Sequence, residues 1–260
     1  MQALVSGIVG LAILILTIVY YKATKKYSQK YKEKTKLIAI IFIIINAISA
    51  ILLQFLIKRI SGAFIVGQII GLFLNYIILK AQLRTAQSLA DINWLRGSSF
   101  LKRNFNLKGI DWKLIFKTSL ILLIWTIIIF EISNPQINPE LIKDFKKDLR
   151  WLSILNTLLV IWILGPIREE ITFRFLGVNL FLHWFGKGKF KKFISITIPS
   201  IVWMFLHSGV LINNWIKYIQ VLPLGIACGY ILYRKDIEHS ILIHIIFNIF
   251  ASIYSIILFI

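Results

Sequence analysis

Eight runs of 16 to 21 residues with few or no charged side chains take up more than half of this 260-residue chain. They lie at about Val5–Tyr21, Leu37–Ile57, Ile60–Leu79, Leu114–Ile132, Trp151–Ile167, Phe193–Ser208, Trp215–Tyr233 and Ser240–Ile260. A helix of ~20 apolar residues crosses the ~30 Å hydrocarbon core of a bilayer, so the runs read as membrane spans. Their apolar residues are continuous rather than alternating, which favours helices over the strands of a spanning barrel. Hydrophobic residues make up 58% of the chain, above the ~45–50% of a soluble domain, and mean hydropathy is +0.80. A soluble core of this size has no room for so much Ile, Leu and Phe, so lipid is the main solvent. An ordinary soluble enzyme and a disordered chain are excluded. With one cysteine, Cys228, so is a disulfide scaffold. The expected fold is an all-α polytopic membrane protein of about eight transmembrane helices. It forms one membrane domain over 1–260, with the first four spans in 1–135. The first run has no basic stretch before it and no A-x-A site after it, and is read as a retained helix rather than a cleaved signal.

Net charge is +19, and the positions of the charges say what it means. Twenty Lys and Arg fall in the loops Lys22–Lys36, Lys80–Lys113 and Gly186–Lys192 and at Arg234 and Lys235, against seven in the alternate loops. Cytoplasmic loops carry the excess of Lys and Arg, so the Lys-rich loops are expected inside and both termini outside. The collar would face anionic lipid headgroups. Nucleic-acid binding is not expected: Lys22–Lys36 interleaves only Tyr27 and Tyr31. Ala81–Phe105 mixes apolar residues with Arg84, Arg96, Lys102 and Arg103, and is expected as an amphipathic helix on the inner leaflet.

A charged side chain within a span costs at least ~2.5–3.5 kcal/mol and so requires a reason. The most expensive stretch is Pro166-Ile167-Arg168-Glu169-Glu170-Ile171-Thr172-Phe173-Arg174. On a helix, Glu170 and Arg174 stand four apart and can pair. Glu169 is turned about 100° from Glu170, so the two carboxylates are not expected to serve one partner. Glu169 is then the free carboxylate and a candidate general base; the alternative is a bent helix end with a two-residue ionic lock. His207 follows an apolar approach from Phe193, and the helical rise allows it about the same depth as Glu169. In the last run, His244 and Asn248 share a helix face, as cavity lining or as interhelical hydrogen-bond glue. Three polar sites in three spans are best explained by one shared intramembrane cavity in the C-terminal half. Asn46, Gln54, Gln68 and Asn75 are read as interhelical glue, His183 and His239 as solvated, and Gly225-x-x-x-Gly229 as a close helix contact.

The ordered set Glu169-Glu170-x-x-x-Arg174, an aromatic-x-x-x-His207 and His244-x-x-x-Asn248 resembles the CPBP family, the CAAX proteases and bacteriocin-processing (Abi) proteins. The likeness extends to Gly225-x-x-x-Gly229-x-x-x-Tyr233 and covers about 150–255. Trp203 stands where the family usually has Phe. The resemblance implies hydrolysis of a peptide bond in a membrane-associated or lipidated substrate. Glu169 would be the base, His207 its partner in orienting a water, and His244 and Asn248 the oxyanion donors. Glu170, Arg174 and Trp203 would support them. A metal-free mechanism is expected, with zinc held by Glu169, His207 and His244 as the alternative. A non-catalytic immunity or regulatory protein on the same scaffold, and a proton relay or transporter, are the competing classes. Compact loops and Lys- and Ile-heavy usage favour a bacterial cell membrane. Substrate identity and oligomeric state are not encoded legibly.

Overall fold

A computed structural model of the chain describes residues 2–57, 62–93, 95, 97–102, 109–139, 158–186 and 188–259. Among these residues the protein is all-helical, without a strand. The helices are α1 (Gln2–Ser28), α2 (Lys32–Ile57), α3 (Gly62–Ile92), the short α4 (Ser99–Lys102), α5 (Trp112–Ser133), α6 (158–185), α7 (Lys189–Phe205), α8 (Asn214–Arg234) and α9 (Ile237–Phe259). Among the described residues, each of the eight apolar runs lies largely on one of eight long helices. Among the described residues, five stretches are long and apolar enough to cross a membrane: Gln29–Ile51, Val66–Ile92, Trp112–Ser133, Asn214–Arg234 and Ile237–Ser255. The start of the fifth run, 151–157, and the acidic positions Glu140, Asp144 and Asp148 lie outside the described residues.

The centre of the bundle is α6, which packs on α3, α7, α8 and α9. On one side α3 gathers α1 and α2. On the other, α5 packs against α8 and α9. Two stretches of α6, Val160–Leu164 and Glu170–Val178, are wound with π spacing. Pro166 gives a reason for the first. In that stretch the Gly165 N–H reaches back five residues to the Val160 carbonyl. The next bond of the series would run from residue 166 to Ile161, and proline has no N–H to give. The Asn248 amide of α9 donates to Ile161 O instead, at 3.1 Å. The same device recurs in α8. Pro223 cannot donate to Ile219 O, and Trp125 of α5 supplies its indole N–H at 3.0 Å. In lipid no water can take over such a carbonyl, so both helices rely on a neighbour's side chain.

The Lys-rich loops meet at one end of the bundle. Asp91 at the end of α3 accepts from Tyr31 Oη at 2.6 Å and pairs with Lys30 at 3.0 Å and Lys102 at 2.9 Å. Glu238 accepts from Ser98 Oγ and the backbone N–H groups of Ser99 and Phe100. Asp111 caps α5 through the Leu114 N–H and pairs with Lys235 at 3.1 Å. At the opposite end, 136–138 lies against 209–212, with an Ile137–Leu211 bridge and the Ile212 N–H on Gln136 O.

Three expectations are corrected. Ala81–Ile92 does not lie on a leaflet: it continues α3, and residues 82–90 are buried. Its polar side chains find partners inside, such as Gln87 Oε1 accepting the Ser98 N–H at 2.7 Å and Arg84 donating to Tyr21 Oη at 2.8 Å. His239 is buried, accepting the Asp111 N–H at Nε2, whereas His183 is exposed. Asn46 bonds its own helix, at Phe42 O, rather than a neighbour.

Candidate active site

Five of the polar residues expected at the site, Glu169, Glu170, Arg174, His244 and Asn248, lie on α6 or at its contacts, and one indole joins them. Trp203, in the last turn of α7, is almost fully buried. Its Nε1–H donates to Glu169 Oε2 at 2.7 Å. Its ring meets His207 edge to face at a 4.5 Å centroid separation and His244 at 5.4 Å. The Arg174 guanidinium lies 3.9 Å from the ring centroid on its face, a cation–π contact in a desolvated setting.

His244 sits between the two acids. Its Nδ1 is 2.8 Å from Glu170 Oε1, and its Nε2 is 3.8 Å from Glu169 Oε2. The expectation that the two carboxylates would not share a partner is therefore corrected. A rotation of ~100° between successive residues separates them on α6, but an imidazole presents nitrogens on two edges and reaches both. With Glu170 accepting at Nδ1, that nitrogen carries the proton.

The acids differ in access. The Glu170 side chain is 0% exposed, and the Glu169 side chain 32%. Glu170 is held by His244, by the Ser240 hydroxyl and by Arg174, whose Nε is 3.5 Å from Oε1. The expected Glu170–Arg174 pair is thus present, as an ion pair longer than a hydrogen bond. Among the described residues, the three guanidinium nitrogens of Arg174 find no hydrogen-bond partner, and the Trp203 face and the pair with Glu170 are their compensation. Space for this group is made by Gly225, where a Cβ would lie 2.9 Å from Arg174 Nη2 and 3.0 Å from Ser200 Cβ.

His207 lies just past the end of α7, and its Nδ1 is 3.0 Å from Trp203 O. A carbonyl can only accept, so Nδ1 donates and Nε2 keeps its lone pair. Asn248 stands one turn beyond His244 on α9, with its amide on Ile161 O. Glu169, Glu170, Arg174, Trp203 and His244 therefore form one contact group. His207 closes it across the indole, and Asn248 flanks it along α9.

Three neighbours went unread in the sequence. Ser240 bonds Glu170, and Ser252 accepts the Trp162 N–H at 3.0 Å. Ser240, His244, Asn248 and Ser252 are spaced by four, so one face of α9 lies on α6 as a polar ladder. That spacing was visible, but serines in an apolar run carry little signal alone. The third is Lys217 in the first turn of α8, whose charge acts on both Glu169 and His207 while its Nζ bonds Gln220 at 2.8 Å. A lone charge in an apolar run was the missed cue. Among the described residues, no three His, Cys, Asp or Glu side chains are grouped to hold a metal ion.

Residues 151–250 match the family described as Rce1-like, the type II CAAX prenyl endopeptidases. The resemblance read from the three motifs is thereby borne out over the same part of the chain. No curated protein and no solved structure matches the chain.

Proposed function

We propose that this chain is a membrane-embedded endopeptidase of the CAAX type, cutting a peptide or lipidated protein presented at the membrane by a glutamate-activated water. The observation that carries this reading is the arrangement of Glu169, partly exposed and held by the Trp203 N–H, beside a His244 fixed from behind by Glu170.

Glu169 Oε2 takes the indole N–H, leaving Oε1 to accept one hydrogen of a water. His207 Nε2 accepts the other. As the water attacks the scissile carbonyl, its proton passes to Glu169 and a C–O bond forms. The carbonyl oxygen becomes an oxyanion. Two donors are assigned to it: Nε2–H of His244, and the second amide hydrogen of Asn248, whose first is spent on Ile161 O. Collapse of the intermediate breaks the C–N bond, and Glu169 returns the proton to the leaving amine. A positioned base contributes ~10²–10⁴-fold, and each oxyanion donor ~2.7–4 kcal/mol. Glu170, Ser240 and Arg174 are positioning residues that fix the His244 ring.

The mechanism is proposed as metal-independent because the donors around Glu169 and His244 are already supplied by the chain, with zinc on Glu169, His207 and His244 as the alternative. It requires eight spans around a wet cavity in the C-terminal half, with the Lys-rich end cytoplasmic, against anionic headgroups, and both termini outside. We assign the protein to a bacterial cell membrane.

Cleavage of a farnesylated peptide by purified protein in detergent tests this. Glu169→Ala and His207→Ala should each lose at least a hundredfold in turnover while remaining monodisperse. Wild-type turnover from Glu169→Ala protein would overturn the reading, and stoichiometric zinc lost on mutating these residues would overturn its metal-free form.

A further inference from the structure

Apart from the Glu169 site, α7 and α8 enclose a groove of about 900 Å³. Its inner length is lined by Phe193, Ile196, Leu222, Pro223, Ile226 and Ala227. Its mouth carries Lys189, Lys192 and Arg234, with Tyr230 and Tyr233 beside them. Among the described residues, no acidic side chain lines it. We propose that this groove is a binding site for one anionic phospholipid, with an acyl chain between α7 and α8 and the phosphate on Lys189, Lys192 and Arg234.

Charge and geometry point to that occupant. The three cations come from the first turn of α7 and the last residue of α8, at the same Lys-rich end of the bundle. Basic pockets between helices at a membrane face bind anionic headgroups. Lys192 Nζ lies 4.7 Å above the Tyr233 ring and the Arg234 guanidinium 5.9 Å from that of Tyr230, contacts that hold both cations at the mouth without neutralising them. From Arg234 to Leu222 is twelve residues of helix, about 18 Å. One leaflet of a ~30 Å hydrocarbon core is about 15 Å deep, so a chain lying along the groove fits a single leaflet. The groove is open to the lipid side, where Phe193 is 57% and Tyr230 50% exposed. It is closed behind, because Gly225 and Gly229 let the helices touch: a Cβ on Gly229 would lie 2.8 Å from Ile196 Cγ2. This inference needs the membrane setting and not the hydrolase reading.

Native mass spectrometry of the purified full chain with dioleoylphosphatidylglycerol or dioleoylphosphatidylcholine tests it, alongside melting temperature in each lipid. Wild type should hold one phosphatidylglycerol and be stabilised by it, and not by phosphatidylcholine. Changing Lys189→Gln, Lys192→Gln and Arg234→Gln together should weaken that binding on the order of a hundredfold. Ala227→Trp, which fills the apolar part, should abolish it. Equal binding of the two lipids, or undiminished phosphatidylglycerol binding by the triple variant, would overturn the proposal. So would displacement of the lipid by a farnesylated peptide together with competitive inhibition of peptide cleavage by phosphatidylglycerol, since the groove would then be the substrate's. Should Ala227→Trp fail to fold, the lipid comparison on wild type and the exposed charge variants still decide.

Discussion

Trp203 touches Glu169, His207, His244 and Arg174, and its N–H is the contact no phenylalanine could make. A hydrogen bond to a charged group is worth ~1.5–3 kcal/mol. Trp203→Phe keeps most of the ring packing and removes that donor. It should lower kcat for peptide cleavage about 10- to 100-fold, with a smaller change in KM. Unchanged kcat would show that the indole is only a wall of the site. Gly225 is the matching case for space. Gly225→Ala places a methyl against Ser200 Cβ and Arg174 Nη2, and should lower both the melting temperature and activity.

At the scale of elements, the widened turns of α6 and the ladder of α9 explain each other. Ile161 O loses its donor to Pro166, and Asn248 repairs the loss. Asn248→Ala should therefore destabilise the protein by about 1–3 kcal/mol. Pro166→Ala restores a backbone N–H, so in that background the stability loss of Asn248→Ala should shrink. Activity should stay low in the double variant if the amide also serves the oxyanion. Thermal unfolding and cleavage on the four proteins of the cycle separate the two roles. The residue-spacing rules made the helices and the polar face of α9 legible. They did not make the shared imidazole legible, because two adjacent acids diverge on a helix and only a partner's shape lets one ring reach both. The buried end of α3 was misread for a related reason: Gln82, Arg84 and Gln87 look like a wet face until their partners on other helices are known. The turn between α8 and α9 adds a pH dependence. Burial pushes the Asp236 carboxyl up, but hydrogen bonds from the His239 ring and backbone N–H outweigh it and hold the group below the usual carboxylate range. Its stabilisation is present above the unfolded pKa of ~3.9 and is lost as pH falls through the lower folded value. Asp236→Asn should lower the melting temperature at pH 7, and the gap to wild type should close under acid conditions.

For the whole molecule, the Lys-rich loops converge on one end, as an oriented membrane protein requires. From the positive charge excess we propose that this end is cytoplasmic. Single cysteines at Lys30 and Ile137, in a chain whose own Cys228 is buried, report sidedness. A membrane-impermeant maleimide applied to whole cells should label Ile137→Cys and not Lys30→Cys. The reverse pattern would invert the topology. In the proposed mechanism one carboxylate of the Glu169–Glu170 pair does chemistry and the other holds structure. The most direct measurement of that division is the kcat and melting temperature of Glu169→Gln and Glu170→Gln side by side. Glu169→Gln should melt near wild type with turnover down at least a hundredfold, whereas Glu170→Gln should lose stability together with activity. Glu169→Gln protein that turns over within tenfold of wild type would contradict the account.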